Sequence, residues 1–339
     1  MNRRDFLKHG LAVSTLAGMS RNFLFAGANS SRDSVGIPLT INLSDDHAMI
    51  CQGERALVDY LADDATCSSL TSGLQKSPCF IAIAGPATGR SLISAIPQPW
   101  RQASGVSFAC DRVLRDKDKT ELHFGYGPGD SGRISSMGLQ PGNCTATSVE
   151  FHDRCYWYKP GWLPFIGDKR RFRLSLMSEA AYTLDCEYIL TPRMNLTVQP
   201  SGQSLFSLCA ADDLAVSRRE QPSGGGRLLN SHGQRHMHPT SGSRPNWYTF
   251  FGQRAVAQNQ ADNKLGPVEG IAVLSSPNAV TGCRWLTRDY GLLVPNSLHY
   301  LDSAFQLHEG ETYRFAYRIV AYSGLPDPVM LNRLCEELI

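Results

Sequence analysis

Three segments of the chain alternate strictly between apolar and polar residues, and this two-residue period limits the fold more than any other feature. Residues 171–176 alternate between basic or hydroxyl side chains and large apolar ones. The same alternation runs through residues 184–190 and 313–319. Because successive side chains of a β-strand point to opposite faces of its sheet, each segment is predicted to be a strand with one buried face.

Further strands are predicted where apolar runs are bounded by Gly, Pro, Asn or Asp, which favour turns. The candidate strands are residues 39–43, 56–61, 79–84, 91–96, 106–110, 122–126, 145–158, 204–209, 247–251 and 270–274. Their spacing is typical of a meander, and we find no internal repeat and no convincing domain boundary.

Convincing helical spacing occurs at the C-terminus, where Asp327 is the predicted N-cap and Pro328 the first helical residue. The apolar residues at helical spacing are Met330, Leu331, Leu334 and Leu338. We therefore predict an all-β protein, a large antiparallel β-sandwich with a short C-terminal helix, in which residues 29–339 form a single domain.

The N-terminus has the features of an export signal. Arg3-Arg4-Asp5-Phe6-Leu7-Lys8 matches the twin-arginine pattern, a weakly apolar stretch follows over residues 10–25, and Ala26-Gly27-Ala28 provides a cleavage site. Residues 1–28 are therefore predicted to be a signal peptide, which makes the twin-arginine translocase a partner and the mature protein periplasmic or secreted. The alternative is an amphipathic N-terminal helix.

Charge and composition exclude two classes of partner. The formal net charge is +2, with acidic and basic residues interspersed rather than gathered into a basic stripe, so nucleic acid is not expected. No apolar run approaches the roughly 18 residues of a membrane span.

The chain has 10 cysteines without a C-x-x-C pair, and we expect one or two disulfides and several free thiols.

Residues 282–296 combine strand character with an unusual density of polar side chains. Arg288 is predicted to hold an anionic or polyhydroxyl ligand, and Asp289 to accept or relay a proton. The alternative is a structural ion pair at the end of a strand. Trp285 and Tyr290 are candidates for stacking on a sugar, although aromatic residues of a β-sandwich are more often part of the core.

Two further clusters are candidates for chemistry. Residues 224–247 contain His232, His236 and His238, and the last two are spaced to share one face of an extended chain, so they are candidate ligands of a divalent metal. The alternative is a solvated loop. Asp212 and its neighbour Asp213 follow an apolar run and suit either cation binding and acid–base work or an ordinary turn.

Ordered motifs across the chain resemble those of the family named DUF6807, also labelled methane oxygenase PmoA. The motifs are Lys76-Ser-Pro-Cys-Phe with Pro86-Ala-Thr-Gly89, Gly132-Arg133-Ile134 with Gly138, Phe206 to Asp212, Gly225 to Gly233 with Asn230-Ser231, Trp247, Trp285-Leu-Thr-Arg288-Asp289-Tyr290-Gly291 with Asn296, and Gly310-Glu311. The resemblance implies a galactose-mutarotase-like supersandwich and a connection to carbohydrate metabolism. It does not imply methane oxidation.

The chain departs from that family in one important segment. The family's histidine-rich run is absent, since the matching residues 99–111 contain no histidine, and Ser297 stands where the family has proline. A role of those histidines in catalysis or metal binding is therefore lost here or has moved to the histidines of residues 224–247.

The leading hypothesis is an exported β-sandwich that binds or processes a carbohydrate, as an enzyme of isomerase, lyase or hydrolase type if it is catalytic. We predict that two distant segments meet at one edge of the stacked sheets around a polar hollow. The predicted site residues are Asp212, Asn230, Ser231, His232, Trp285, Arg288, Asp289, Tyr290 and Asn296, with His232 and Asp289 as acid and base. The alternatives are a non-catalytic accessory protein and a metal-dependent oxidoreductase; the sequence identifies no cofactor.

Overall fold

A computed structural model describes most of the chain after the predicted signal peptide. The described residues are 36–62, 77–95, 105–125, 132–202, 204–217, 225–254, 266–275, 284–295 and 298–338. The predicted signal peptide, residues 1–28, lies outside these ranges.

Twenty strands and two helices are found within the described ranges. In chain order they are β1 (Leu39–Leu43), β2 (His47–Gln52), β3 (Arg55–Leu61), β4 (Cys79–Ile83), β5 (Val106–Cys110), β6 (Val113–Arg115), β7 (Glu121–Leu122), β8 (Arg133–Cys144), β9 (Ser148–Tyr158), β10 (Ile166–Ser178), β11 (Ala181–Pro192), β12 (Leu196–Val198), β13 (Ser204–Cys209), β14 (Gly226–Asn230), α1 (Met237–Thr240), β15 (Trp247–Gln253), β16 (Val268–Ser275), β17 (Leu286–Arg288), β18 (Leu292–Val294), β19 (Phe305–Leu307), β20 (Tyr313–Ser323) and α2 (Pro328–Glu336). A 3-10 turn, Leu298–Tyr300, lies between β18 and β19.

The strands form two large sheets and one small sheet. The first sheet has the spatial order β1-β2-β3-β4-β5-β13-β18-β17, and the second has the order β14-β15-β16-β20-β11-β10-β9-β8. The small sheet has the order β19-β12-β6-β7. All the pairings are antiparallel, which confirms the predicted all-β sandwich.

The alternating segments form the middle of the second sheet. On β10, Phe172 and Leu174 are fully buried while Arg171 and Arg173 are exposed, and β11 and β20 show the same alternation. The inward rings meet those of the first sheet: Phe108 of β5 stacks on Tyr188 of β11, with ring centroids 3.9 Å apart. Apolar alternation therefore predicts both the strands and the face that each buries.

Helix α2 forms where the C-terminal pattern predicts it. The Asp327 carboxylate caps the helix by accepting from the backbone N–H groups of Val329 at 2.9 Å and Met330 at 3.2 Å. Leu331 and Leu334 are buried against β15 and β16 on the outer face of the second sheet. None of the helices in the described part of the chain is long and apolar enough to cross a membrane.

Three sequence-based expectations differ from the structure. Residues 122–126 are predicted to form a strand, but the strand found is Glu121–Leu122, and residues 123–125 are not in a strand. Residues 91–96 were expected to form a strand, but Ser91 and Ile93 make isolated bridges, to Ala84 and Ala210. Residues 282–296 contain a hairpin of two three-residue strands rather than one strand, because a tight turn at 289–291 reverses the chain.

The cysteines agree in part with expectation. Free thiols occur at Cys51, Cys110, Cys144, Cys155 and Cys186. Burial raises the pKa of Cys110 to about 12, so this thiol is an unreactive core group. The expected disulfides stay a prediction, since Cys67 and Cys283 lie outside the described residues.

Candidate functional site

Edge strands of the two large sheets meet at one side of the sandwich. β14 ends the second sheet and β17 ends the first, and helix α1, in the connection after β14, contacts β17. The backbone N–H of Gly242 donates to the carbonyl oxygen of Trp285 at 2.6 Å, and that of Trp285 donates to Ser243 at 3.1 Å. The hydroxyls of Thr240 and Thr287 are 2.8 Å apart. The two distant segments are therefore joined at a single edge, as the sequence analysis expected. The polar hollow expected between them is absent from the described residues, because the side chains at this contact are buried.

Aromatic side chains fill the space at this edge. The rings of Tyr248 and Trp285 have centroids 4.8 Å apart, and the Trp285 indole N–H donates to the carbonyl oxygen of Pro245 at 3.0 Å. The Tyr248 hydroxyl lies 2.5 Å from both the Thr240 carbonyl oxygen and the Ser243 hydroxyl, and burial raises its pKa. Trp285 has no exposed surface, so it belongs to the core and offers no ring face to a sugar.

Asn230 shapes the turn that follows β14. Its side chain is buried, and its Oδ1 accepts from the backbone N–H groups of His232 at 3.0 Å and Gln234 at 2.9 Å. Its Nδ2 donates to Gln234 Oε1 at 2.8 Å. These three bonds occupy the carboxamide, so Asn230 positions the residues after it instead of contacting a ligand itself.

A polar cavity of about 350 Å³ lies between this turn and helix α2. Its lining residues are Ser231, His232, Asn246, Asn332, Cys335 and Glu336. The Ser231 hydroxyl oxygen accepts from the backbone N–H of Asn246 at 3.0 Å. Asn332 Oδ1 accepts from the Trp247 indole N–H at 2.8 Å, an orientation that directs the Asn332 NH₂ group away from Trp247.

The cavity brings together an exposed imidazole, that of His232, and an exposed carboxylate, that of Glu336. The pair expected from the sequence was His232 with Asp289, but Asp289 does not line this cavity. Glu336 was missed because helical spacing predicts the apolar face of α2 but not the strand against which that face packs. The sequence contains one signal that could have pointed to Glu336. It stands four residues after Asn332, so the two side chains share a helix face.

Arg288 and Asp289 lie at the hairpin turn between β17 and β18. The backbone N–H of Gly291 donates to the Arg288 carbonyl oxygen at 3.0 Å, and Gly291 has a φ of 106°. A Cβ at Gly291 would lie 2.9 Å from the carbonyl oxygen of Ala210, so glycine is required there. Tyr290 is half-buried against the apolar cluster of this hairpin.

The turn that carries Asp212 is hydrogen-bonded to this hairpin through the backbone. The backbone N–H groups of Val216 and Ser217 donate to the Asp289 carbonyl oxygen at 2.8 and 3.1 Å. Asp212 is exposed, whereas Asp213 forms an ion pair with Arg254 at 2.7 Å. The structure thus brings the Asp212 and Asp289 turns together, and it places them apart from the cavity beside α2.

The histidine pair proposed as a metal site does not share one face of an extended chain. His236 has a φ of 66°, and His238 lies in the helical turn α1, where residues two apart point in different directions. Across the described ranges, no group of three or more His, Cys, Asp or Glu side chains is placed to hold a metal ion. Asn296 lies outside those ranges.

Comparison with known proteins gives one sequence match and several weak structural similarities. No curated protein matches the chain. Galactose 1-epimerase from Lactobacillus acidophilus NCFM aligns with 10% identity and a TM-score of 0.41, over 85% of this chain and 100% of its own. A putative aldose 1-epimerase from Klebsiella pneumoniae subsp. pneumoniae MGH 78578 aligns with 8% identity and a TM-score of 0.40, over 88% and 84%. A model described as a family of unknown function, DUF6807, matches residues 50–336, and the chain therefore belongs to that family.

Proposed function

We propose that this protein is an exported carbohydrate-binding protein whose ligand occupies the cavity between the Ser231–His232 turn and helix α2. The observation that carries the proposal is the chemistry of the lining. A hydroxyl, an imidazole, two carboxamides and a carboxylate converge on one cavity of about 350 Å³. Each of these groups forms hydrogen bonds with sugar hydroxyls, and the volume lies within the ordinary range for small-molecule sites.

The lining is held in place before a ligand arrives. Asn230 fixes the backbone at His232, and the Ser231–Asn246 bond fixes the opposite wall. The single S–H group of Cys335 lies between the carbonyl oxygens of Asn246 and Ser275, at 3.6 and 3.7 Å, and donates to one or is shared by both, which anchors α2 beneath the cavity. Because the framework that carries the lining is already hydrogen-bonded, binding mainly has to order the exposed side chains of His232 and Glu336, which favours affinity for a neutral ligand.

Thermal-shift measurements with a panel of neutral mono- and oligosaccharides test the proposal. A sugar at about 100 times its Kd stabilises the fold by about 2.7 kcal/mol, an increase that is measurable as a higher Tm. His232→Gln and Glu336→Gln should abolish the shift without lowering the Tm of the free protein. His308→Gln, which changes another exposed histidine far along the chain, should leave it intact. A shift that survives both cavity substitutions would place the ligand elsewhere.

A second candidate function, proton transfer on the bound sugar, is favoured by His232 and Glu336 lining one cavity. An imidazole and a carboxylate are the groups that general acid–base catalysis at a sugar carbon or ring oxygen requires. Product analysis of the sugars that raise the Tm distinguishes the two functions. Product formed by the unmodified protein and lost in both His232→Gln and Glu336→Gln would support catalysis, and stabilisation without product supports binding alone.

Arg288, Asp289 and Tyr290 are proposed as a separate polar contact, with Asp212 on the adjoining turn. The backbone bonds from Val216 and Ser217 to Asp289 support this grouping, since they hold the exposed Asp212 turn beside the half-buried hairpin turn. In this arrangement Arg288 would orient hydroxyls or a carboxylate of a longer saccharide.

Export through the twin-arginine translocase is proposed from the Arg3-Arg4 pair and the cleavage site after it. Arg3→Lys with Arg4→Lys should retain the protein in the cytoplasm of a bacterial host. Fractionation that still finds the double variant in the periplasm would exclude this route.

A further inference from the structure

A shallow hollow of about 340 Å³ opens on the outer face of the second sheet, away from helix α2. Its lining residues are Arg154, Cys155, Tyr156, Gly167, Asp168, Lys169, Thr191 and Arg193. Cys155 and Asp168 border it through the sheet itself, since both are buried on the opposite face. The side chains that face the hollow are therefore three cations, a tyrosine and a threonine.

Gly167 leaves the centre of the hollow open. It lies in register between Tyr156 of β9 and Thr191 of β11. A Cβ at this position would have its nearest neighbours at 3.8 and 3.9 Å, an ordinary contact distance. Glycine weakens the interior of a strand, and packing does not require it here, so its effect is to keep space above the sheet free.

The three cations around this space have no acidic partner among the described residues. Lys169 lies directly opposite Arg154 in the pairing of β10 with β9, an arrangement of like charges that destabilises a sheet. The Arg193 guanidinium lies over the Tyr156 ring, 4.8 Å from its centroid. This stacking orients the guanidinium without neutralising it.

Three other cations on the same face have acidic partners. Glu187 forms ion pairs with Arg171 at 3.1 Å and with Arg314. Arg318 binds Asp185 through two hydrogen bonds of 2.5 and 3.1 Å.

Arg173 has no acidic partner among the described residues and donates instead to the Ser148 hydroxyl at 2.8 Å. The Gly167 hollow differs in that three cations without acidic partners in the described part of the chain surround one open space.

We propose that the Gly167 hollow binds the anionic groups of a saccharide, that is, the carboxylates of a polyuronate or the sulfates of a sulfated polysaccharide. Arg154 and Lys169 provide the charge, and Arg193 provides a planar donor set suited to either oxyanion. That the ligand is a saccharide rests on the proposed function, whereas its negative charge rests on this hollow alone. The hollow would add a charged contact remote from the neutral-sugar cavity.

Binding to polygalacturonate, dextran sulfate and neutral dextran at about 0.15 M salt, where distant surface charges are screened, tests this proposal. The protein should bind at least one of the two anionic polymers and not dextran, and the polymer that binds identifies the oxyanion. Arg154→Gln with Lys169→Gln should weaken that binding by about tenfold or more, since two charge-assisted hydrogen bonds are lost. Gly167→Val should weaken it as strongly while leaving the Tm unchanged or higher, because valine fills the hollow and favours the strand.

The matched control is Arg171→Gln with Arg314→Gln, which also removes two positive charges from the same face, but from the arginines that are paired with Glu187. This variant should keep full affinity for the polymer. Equal weakening in the control, undiminished binding by Gly167→Val, or no binding by the unmodified protein would each overturn the proposal. The His232→Gln variant should bind the anionic polymer normally. Loss of neutral-sugar binding at the cavity beside α2 can therefore be distinguished from loss of anion binding at the Gly167 hollow.

Discussion

Two clusters of charged residues are buried inside the sandwich, and they are stabilised by different kinds of partner. One contains Asp168 and Arg170 of β10, and the other contains Arg254 and Glu269, beside β15 and on β16. All four residues are at most 2% exposed. Ions so deeply buried need hydrogen bonds as well as an opposite charge, and the two clusters obtain those bonds from different sources.

The first cluster depends on side chains. Asp168 Oδ2 accepts from Arg170 Nε and from the Trp157 indole N–H, both at 2.9 Å, while its Oδ1 has no partner among the described residues. Burial raises the pKa of Asp168, although the attraction of Arg170 opposes this. The Arg170 guanidinium also donates to the carbonyl oxygens of Pro78 and Phe108 in the first sheet, at 3.3 and 3.4 Å. Arg170 thus links the two sheets.

The second cluster depends on backbone groups. Glu269 Oε1 accepts from the backbone N–H groups of Ala87 at 2.7 Å and Thr88 at 2.9 Å, and Oε2 accepts from the Thr88 hydroxyl at 2.7 Å. Arg254 Nε lies 3.3 Å from Glu269 Oε2 as an ion pair without hydrogen-bond geometry. Arg254 also binds Asp213 at 2.7 Å, and burial lowers the pKa of Arg254. Glu269 therefore keeps three donors even without its arginine.

This difference predicts that the first cluster depends far more on its arginine than the second does. Arg170→Met leaves Asp168 as an uncompensated buried charge and should lower the free energy of unfolding by about 3–5 kcal/mol at neutral pH. Arg254→Met should lower it clearly less, because the loop donors to Glu269 remain. Urea denaturation of both variants measures the contrast, and equal losses would refute it.

A double variant separates the lost ion pair from the lost packing. Asp168→Asn combined with Arg170→Met removes both charges and should recover part of the stability that Arg170→Met alone loses. If the double variant is no more stable than Arg170→Met, the loss arises from packing around the guanidinium stem.

The second cluster should open locally rather than globally. Glu269→Gln keeps one acceptor oxygen for the loop and should lower the free energy of unfolding by about 1–3 kcal/mol. Hydrogen exchange at the Ala87 and Thr88 amides should accelerate, while exchange on β10 stays slow. Gly85→Ala, a change in the loop itself, should also accelerate exchange at these two amides, since a Cβ there would lie 2.2 Å from Glu269 Oε2. Uniform acceleration across both sheets would contradict a local role.

The two clusters also differ in how far the sequence reveals them. The alternation that places Phe172 inward, extended by two and four residues toward the N-terminus, places Arg170 and Asp168 on the same face. The alternation along β10 therefore places the Asp168–Arg170 cluster on the buried face, although charged residues are not normally expected there. Glu269 stands just before the predicted strand at 270–274, and its partner Thr88 is 181 residues away. No periodic sequence pattern predicts that Glu269 and Thr88 are in contact.

For the candidate site too, local sequence patterns predict the elements but not how distant elements pack together. Sequence patterns identify α2 as an amphipathic helix, which is confirmed. They do not reveal that Asn230, predicted to contact a ligand, shapes the turn after β14. The cavity exists because Leu331 and Leu334 pack on the outer face of β15 and β16, which brings Glu336 near His232. That placement depends on the shape of two packed surfaces and not on residue spacing within either segment.

A partly exposed ion pair provides the smallest effect and sharpens the contrast with both buried clusters. His47 Nε2 lies 2.6 Å from Asp59 Oδ1, and the two side chains are 35% and 21% exposed. The hydrogen bond to Asp59 raises the pKa of His47 above its ordinary value of about 6.5. Because the folded state then holds the proton more tightly than the unfolded state, the pair stabilises the fold below about pH 6.5, and this contribution is lost as the pH rises through the raised pKa.

His47→Gln should remove that pH dependence. The difference in unfolding free energy between the unmodified protein and the variant should fall by about 0.2–1 kcal/mol between pH 6 and 8, the size expected of a solvent-screened pair. Asp168 also has a raised pKa, but its titration is common to both proteins and cancels in the difference. Salt should reduce the effect of His47 and leave the loss in Arg170→Met nearly unchanged, because screening acts on exposed charges and hardly reaches buried ones. A difference curve that is flat, or that rises with pH, would mean that Asp59 does not hold the His47 proton in the folded protein.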